Sequence, residues 1–160
     1  MDAISKDDDA WLAQAVQLAV ENVAAGGGPF GAIVVHDGEV VASGVNRVTH
    51  DLDPTAHAEV VAIRAACQAL GTFSLAGSML YSSCEPCPLC LAAALWSRVD
   101  RVVFAADRDD AARGGFDDRA FYDLFGSDRA TWPTSVRNLR VEGCESPFDA
   151  WLARPDRTPY

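Results

Sequence analysis

Lysine is almost absent from this 160-residue sequence, in which Lys6 is the only one. Lysine and arginine together supply 13 positive charges against 23 negative charges from aspartate and glutamate, which gives a net charge of −10. Proteins that bind polynucleotides draw much of their affinity from neutralising phosphates with lysine and arginine. The composition therefore argues against a nucleic-acid partner and leaves room only for a local arginine patch.

Several kinds of segment are also missing. No apolar run is long enough to span a bilayer, and residues 1–9 lack the basic and apolar regions of a secretory signal. No linker of low complexity and no repeat divides the chain. We expect a single domain over residues 1–160, located in the cytoplasm without membrane contact. The acidic run Asp7-Asp8-Asp9 is expected to be a solvated helix start.

The cysteines form an odd set of five, and Cys84, Cys87 and Cys90 recur at intervals of three residues. A disulfide framework uses paired cysteines in an oxidising compartment, so metal binding by reduced thiolates fits this pattern better. Cys67 and Cys144 stand apart from this group and are expected to be small packing residues.

Apolar residues recur at helical or alternating spacing along most of the chain. The predicted helices cover residues 8–25, 53–70, 87–97, 119–125 and 147–153, and the predicted strands cover residues 31–35, 40–45, 78–82, 101–106 and 136–141. Asp37-Gly38 is a favoured hairpin turn between the first two strands. Strands interleaved with helices predict an α/β fold, a three-layer α/β/α sandwich with a mixed five-stranded central sheet.

Two short motifs lie at predicted helix starts: His57-Ala58-Glu59 and Pro86-Cys87-Pro88-Leu89-Cys90. Asp53 is the expected N-cap of the first of these helices. Because Cys87 and Cys90 are three residues apart, their sulfurs lie on one face of the second helix. The positive end of the helix dipole favours the thiolate form there.

One imidazole and two thiolates suit a zinc ion, and a site with three protein ligands keeps its fourth position for water. His57, Cys87 and Cys90 are the predicted ligands of one zinc ion per subunit, and Glu59 is placed to move protons. The alternative is a closed structural site that includes Cys84. Glu59 argues against it, because a structural site gains nothing from an adjacent carboxylate.

The motifs H-x-E and P-C-x-x-C are shared by zinc deaminases that act on bases, so the chain resembles the cytidine deaminase-like superfamily. A wider set of segments resembles the small bacterial guanine deaminases over nearly the whole length. That set comprises Gly28-Pro29-Phe30-Gly31-Ala32, Asn46, Asp53-Pro54-Thr55-Ala56-His57-Ala58-Glu59, Ser83-Cys84-Glu85-Pro86-Cys87-Pro88-Leu89-Cys90, Gly115-Phe116-Asp117-Asp118, Ser146-Pro147-Phe148 and Tyr160. The resemblance implies hydrolysis of a free nucleobase, guanine, to xanthine and ammonia.

The resemblance also implies roles for single residues. Glu59 would shuttle protons, and Asp118 would face the departing amino group. The implied substrate contacts are Asn46 at the base edge, Phe30 at its ring, Trp96 in the pocket wall and Tyr160. In such enzymes a C-terminal tail, here residues 154–160, is exchanged between the subunits of a homodimer.

Each of these substrate contacts has a structural alternative. In these alternatives, Asn46 closes a turn, and Phe30 and Trp96 belong to the core. Asp117 and Asp118 cap a helix. Tyr160 is a chain end without a role in the site.

Glu145 departs from the pattern of the resemblance. Its carboxylate would either enter the pocket, where it would assist proton transfer or select a different ring, or remain a solvated loop charge. The rival functions are deamination of cytosine, of a nucleoside, of an aminotriazine such as ammeline or of tRNA adenosine, and a zinc-stabilised module without catalysis.

Overall fold

The computed structural model describes residues 6–116 and 118–159. The chain forms two compact units that meet in sequence after Tyr122. The elements of the first unit are α1 (Lys6–Ala24), β1 (Gly31–His36), β2 (Glu39–Val45), α2 (Val48–Asp51), α3 (Ala58–Leu70), β3 (Ser78–Cys84), α4 (Pro88–Ser97), β4 (Arg101–Ala106) and α5 (Arg108–Arg113). Helix α6 (Arg119–Phe125) crosses the boundary, and a 3-10 helix (Arg129–Thr131) and α7 (Ser146–Ala153) follow.

Within the two described ranges, no helix combines the length and the apolar character that crossing a bilayer requires.

The sheet is mixed and has the strand order β2-β1-β3-β4. Strand β1 runs antiparallel to both β2 and β3, and β4 runs parallel to β3. Asp37 and Gly38 join β1 to β2 with φ angles of 51° and 76°, the left-handed pair that a two-residue hairpin turn requires. The predicted α/β class and the Asp-Gly hairpin are confirmed.

The predicted fifth strand is wrong. Residues 136–141 form no strand, and the sheet built from the described residues has four strands. The side chains of Val136, Leu139 and Val141 are 48%, 85% and 63% exposed. An alternating apolar pattern becomes a strand only when a sheet edge pairs with it, and no such edge pairs with this segment in the described part of the chain.

Alternate residues of β1 point to opposite sides of the sheet, and each set belongs to a separate core cluster. Ala32 and Val34 pack with residues of α3 and α4. Ile33 and Val35 pack with Tyr81 and with residues of α1. Strand β1 is therefore buried on both sides. Its contacts with α3 and α4 position these two helices against one face of the sheet.

The acidic start of α1 is solvated only in part: Asp7 and Asp9 are exposed as predicted, but Asp8 is fully buried. Both of its carboxylate oxygens accept hydrogen bonds from the Arg101 guanidinium, at 3.0 and 2.6 Å, and the Tyr81 hydroxyl donates to the same carboxylate at 2.7 Å. A two-pronged, charge-assisted interaction compensates for the burial of the charge. The arginine lies 93 residues away in sequence, so local sequence gave no sign of this pairing.

Helix α3 begins later than predicted, at Ala58 with His57 as its N-cap, so the prediction of Asp53 as the N-cap is wrong. The Asp53 carboxylate instead accepts hydrogen bonds from the Thr55 amide and hydroxyl, at 2.8 and 2.7 Å, and closes a local turn. Gly71 ends the helix in the left-handed region with φ 64°, as predicted. The shift places His57 and Glu59 at the very start of the helix.

Gly44 in β2 allows α3 to approach the sheet closely. A Cβ atom at this position would collide with the carbonyl oxygen of Ala58 and lie 2.5 Å from the backbone nitrogen of Ala62. We expect Gly44→Ala to lower the free energy of unfolding by about 1–3 kcal/mol, because α3 must move outward. Urea unfolding measures this change. The control is the exposed neighbour Ser43→Ala, for which we expect a change within about 0.5 kcal/mol. Equal stability of the two variants would contradict the close packing.

Candidate zinc site and active-site cavity

Three predicted metal ligands converge where the N-termini of α3 and α4 meet. His57 is the N-cap of α3, Cys87 is the N-cap of α4, and Cys90 follows in the first turn of α4. The Nδ1 atom of His57 lies 3.5 Å from Sγ of Cys87 and 3.4 Å from Sγ of Cys90, and the two sulfurs are 3.6 Å apart.

These separations fit the edges of a zinc tetrahedron. With Zn–S bonds of about 2.3 Å and a Zn–N bond of about 2.0–2.1 Å, tetrahedral angles place the ligand atoms about 3.5–3.8 Å apart. His57, Cys87 and Cys90 are also the group of potential ligands that the described residues bring together. Both the spacing and the donor types of this triad therefore fit zinc.

Cys84 does not join the triad. Its buried thiol contacts the carbonyl oxygen of Asp107 at 3.6 Å, and burial raises the pKa of this thiol to about 11. Ligand atoms of His57, Cys87 and Cys90 lie close enough to share one ion, and Cys84 does not belong to that group. The arrangement favours an open three-ligand site over the closed alternative. Cys84 is the last residue of β3.

The two ligand sulfurs lie within hydrogen-bond distance of each other, 3.6 Å apart. The hydrogen bond with Cys90 holds the pKa of Cys87 down to about 4, and the same bond raises the pKa of Cys90. The lowered pKa favours the thiolate form of Cys87, which is the form that a metal ligand needs.

Glu59 is buried beside the triad, with 5% of its surface exposed. Its Oε1 accepts a hydrogen bond from the Ser82 hydroxyl at 3.1 Å, and its Oε2 contacts Sγ of Cys90 at 3.3 Å. Burial raises the pKa of the Glu59 carboxyl above its ordinary value. A raised pKa makes the carboxylate a better proton acceptor.

A cavity of about 470 Å³ opens onto His57, Glu59 and Cys87. This volume is in the usual range for small-molecule sites. Its other acidic lining residues are Glu85 and Asp118, and no lysine or arginine belongs to the described lining. The cavity therefore offers no cationic side chain to a substrate phosphate.

Three of the predicted substrate contacts, Phe30, Asn46 and Asp118, line this cavity. The Phe30 ring meets Phe116 edge to face, with centroids 5.0 Å apart. Oδ1 of Asp118 is buried and has no hydrogen-bond partner among the described residues, and burial raises the pKa of this carboxyl. A buried oxygen left unpaired is costly, so its presence in a cavity favours a ligand that supplies the partner.

Of the other predicted contacts, Trp96 is not brought to the cavity and Glu145 belongs to the second unit. Trp96 is 64% exposed on α4 and is not among the described lining residues. Glu145 lies in the second unit, where its carboxylate pairs with Arg140 and accepts a hydrogen bond from the Cys144 thiol at 3.1 Å. Tyr160 lies outside the described residues.

Several residues that support the cavity could not be predicted from local patterns. The Asn22 side-chain amide donates to the carbonyl oxygens of Gly28 and Asn46, at 2.8 and 2.9 Å, and ties two lining segments together. No spacing rule connects Asn22 with these partners. Ser82, by contrast, follows the alternation of β3, but the pattern did not say what it faces. Phe116 belonged to the recognised segments without an assigned role.

A family model described as the cytidine and deoxycytidylate deaminase zinc-binding region matches residues 5–106. The chain belongs to this family. The protein is therefore a zinc-dependent aminohydrolase, and zinc is its cofactor.

The deaminase is similar to relatives of two kinds. It is 49% identical to a guanine deaminase from Bacillus subtilis over 155 residues, which cover 95% of this chain and 98% of the relative. A crystal structure of guanine deaminase from Bacillus subtilis superposes with a TM-score of 0.93 at 44% identity, covering 98% of this chain and 99% of that one. A tRNA-specific adenosine deaminase from Bacillus subtilis is 40% identical over 99 residues, 62% of each chain.

The likeness to guanine deaminase extends beyond the family model. The model ends at residue 106, whereas the 95% coverage includes most of the chain after that point. Phe116 and Asp118 of the cavity lie in this later region. The guanine deaminase likeness thus spans the whole described lining of the cavity, whereas the family model ends before Phe116 and Asp118.

Proposed function

We propose that this enzyme hydrolyses the free base guanine to xanthine and ammonia. The observation that carries the proposal is the near full-length likeness to guanine deaminase, which includes the region of Phe116 and Asp118 as well as the zinc motif. His57, Cys87 and Cys90 hold the zinc ion in this proposal.

Zinc, when bound, makes a water molecule nucleophilic near neutral pH. Glu59 accepts a proton from that water through its carboxylate and delivers protons to a ring nitrogen and to the departing amine. A carbon–oxygen bond forms at C2 of guanine, the bond from C2 to the amino nitrogen breaks, and ammonia leaves. Asp118 faces this amino group, whose N–H donates to the Oδ1 atom that has no hydrogen-bond partner among the described residues.

The cavity lining supports a free base over a nucleotide. The Asn46 amide bonds a polar edge of the ring, and Phe30 packs against its face. Without a lysine or arginine among the described lining residues, a phosphate group finds no charge partner there. Buried polar groups on the protein would be left unpaired by the wrong base, which is a strong source of selectivity.

The likeness to a tRNA-specific adenosine deaminase makes tRNA adenosine the second candidate substrate. The net charge of −10 opposes binding of a polynucleotide.

Ammonia release from guanine, guanosine, adenine, cytosine, cytidine, ammeline and a tRNA anticodon hairpin distinguishes these substrates. We expect kcat/KM for guanine to exceed that of every other member by at least about 100-fold. The matched control is the same protein after removal of zinc by a chelator. Activity on another member with none on guanine would reassign the substrate.

We further propose that the chain is one cytoplasmic domain with a three-layer α/β/α arrangement that forms a homodimer. The tail of residues 154–160 is exchanged in this assembly, and Tyr160 completes the partner's cavity. Pro155 and Pro159 favour an extended tail, and residues 154–159 are exposed. Light scattering after gel filtration tests the dimer, and a chain truncated after Ala153 tests the tail: it should lose activity if Tyr160 is needed.

The role of Glu145 in substrate choice stays a prediction. Glu145→Gln should change the relative kcat/KM values of guanine and the other bases if the carboxylate meets the substrate.

A further inference from the structure

Glu85, the residue two positions before Cys87, is held by a single arginine. Nε of Arg108 donates to its carboxylate at 3.0 Å, Nη2 of Arg108 donates to the other oxygen, and the backbone amide of Arg108 adds a bond of 3.1 Å. Two-pronged arginine–carboxylate pairs fix geometry as well as supplying energy. The N-terminus of α5 is therefore tied to the segment that leads into the zinc ligand Cys87.

The same arginine connects to α6. Its guanidinium lies over the Tyr122 ring, 4.1 Å from the ring centroid, and the Tyr122 hydroxyl donates to the carbonyl oxygen of Pro86 at 2.5 Å. These contacts link the segment before α4 to the start of α5 and to α6 through Glu85, Arg108 and Tyr122. We call these three residues the Arg108 tie.

Tyr122, the member of the Arg108 tie that lies in α6, is about one helical turn from Asp118. Asp118 immediately precedes α6, and its carbonyl oxygen accepts a hydrogen bond from the Phe121 amide at 3.0 Å. Residues four apart lie on the same side of a helix, so anchoring Tyr122 anchors the turn that presents Asp118. Oδ1 of Asp118 has no hydrogen-bond partner among the described residues, so no hydrogen bond at that atom fixes its position.

We propose that Arg108 and Tyr122 are positioning residues that keep Asp118 at a fixed place relative to the segment bearing Cys87. The inference rests on the proposed function, since it takes Asp118 as the carboxylate that faces the amino group. Loosening the Arg108 tie should impair the chemical step more than substrate binding, because Asn46 and Phe30 lie on other segments. It should also leave the zinc triad intact.

Tyr122→Phe is the sharpest test, because it removes one hydroxyl group and keeps the ring beneath Arg108. We expect kcat for guanine to fall about 10-fold, with KM within about twofold of wild type, as for loss of one hydrogen bond that matters in the transition state. Zinc content should remain at one ion per chain. Backbone amides of residues 118–122 should exchange hydrogen faster than in wild type.

Tyr81→Phe is the matched control, since it removes a hydroxyl that donates to Asp8 on the α1 side of the sheet. It should change neither kcat nor exchange at residues 118–122. Arg108→Lys keeps a positive charge but loses the two-pronged geometry, so it should show the same direction of change as Tyr122→Phe.

Wild-type kcat and wild-type exchange in Tyr122→Phe would overturn the inference. Loss of zinc in that variant would also overturn it, because the tie would then serve the metal site and not Asp118. If the wild-type protein releases no ammonia from guanine, the proposed function fails, while the exchange comparison still decides whether Tyr122 holds residues 118–122.

Discussion

Glu59→Gln is expected to leave folding and zinc binding intact and to reduce kcat by about 10²–10⁴-fold, the usual contribution of a positioned general acid–base group. The amide has nearly the same shape as the carboxyl group and retains an oxygen that can accept the hydrogen bond from Ser82. It cannot accept a proton from water and pass it to a leaving amine. The burial that raises the pKa of Glu59 makes its carboxylate a better proton acceptor.

Steady-state ammonia release, zinc content and circular dichroism should be measured together on this variant. Glu39→Gln is the matched control, because it makes the same change on an exposed residue of β2. We expect that control to retain wild-type kcat. Full turnover by Glu59→Gln would show that another group carries the proton.

Cys90→Ala and Cys84→Ala are expected to behave in opposite ways. Loss of Cys90 leaves two of the three ligand atoms, so we expect no zinc after dialysis and a kcat lowered by at least about 10³-fold. Cys84→Ala should keep one zinc ion per chain and a kcat within about threefold of wild type, because its thiol contacts the carbonyl of Asp107. Its cost should be about 1 kcal/mol of stability from the lost packing of a buried side chain.

Zinc analysis of the dialysed proteins and thermal unfolding with and without added zinc separate the two cases. The midpoint of Cys84→Ala should rise when zinc is added after chelation, and that of Cys90→Ala should not. If Cys84→Ala loses its zinc, Cys84 is a fourth zinc ligand. The site is then closed, and zinc has no free position for a catalytic water.

Much of the sheet could be predicted because its signals are local. Strand β4 has the predicted bounds, and the Asp37-Gly38 turn has the predicted geometry, since alternation and turn chemistry depend on adjacent residues. Residues 136–141 carry a similar pattern without forming a strand, because pairing depends on a distant edge. The burial of Asp8 likewise required a partner from β4.

The candidate site divides in the same way. The zinc triad and Glu59 could be predicted because fixed short spacings at two helix starts determine which side chains converge. Trp96 could not be placed correctly, since a helical aromatic residue can face the core, a pocket or solvent with the same local pattern. Arg108 could not be found at all, because its partners lie on elements separated from it in sequence.

Turnover in ¹⁸O-labelled water is a direct test of zinc-dependent hydrolysis of guanine. The zinc-loaded protein should convert guanine to xanthine carrying one ¹⁸O atom at C2, with one ammonia released per xanthine. Chelation should stop the reaction, and added zinc should restore it. Failure to form xanthine, or turnover that continues unchanged in the zinc-free protein, would contradict the account.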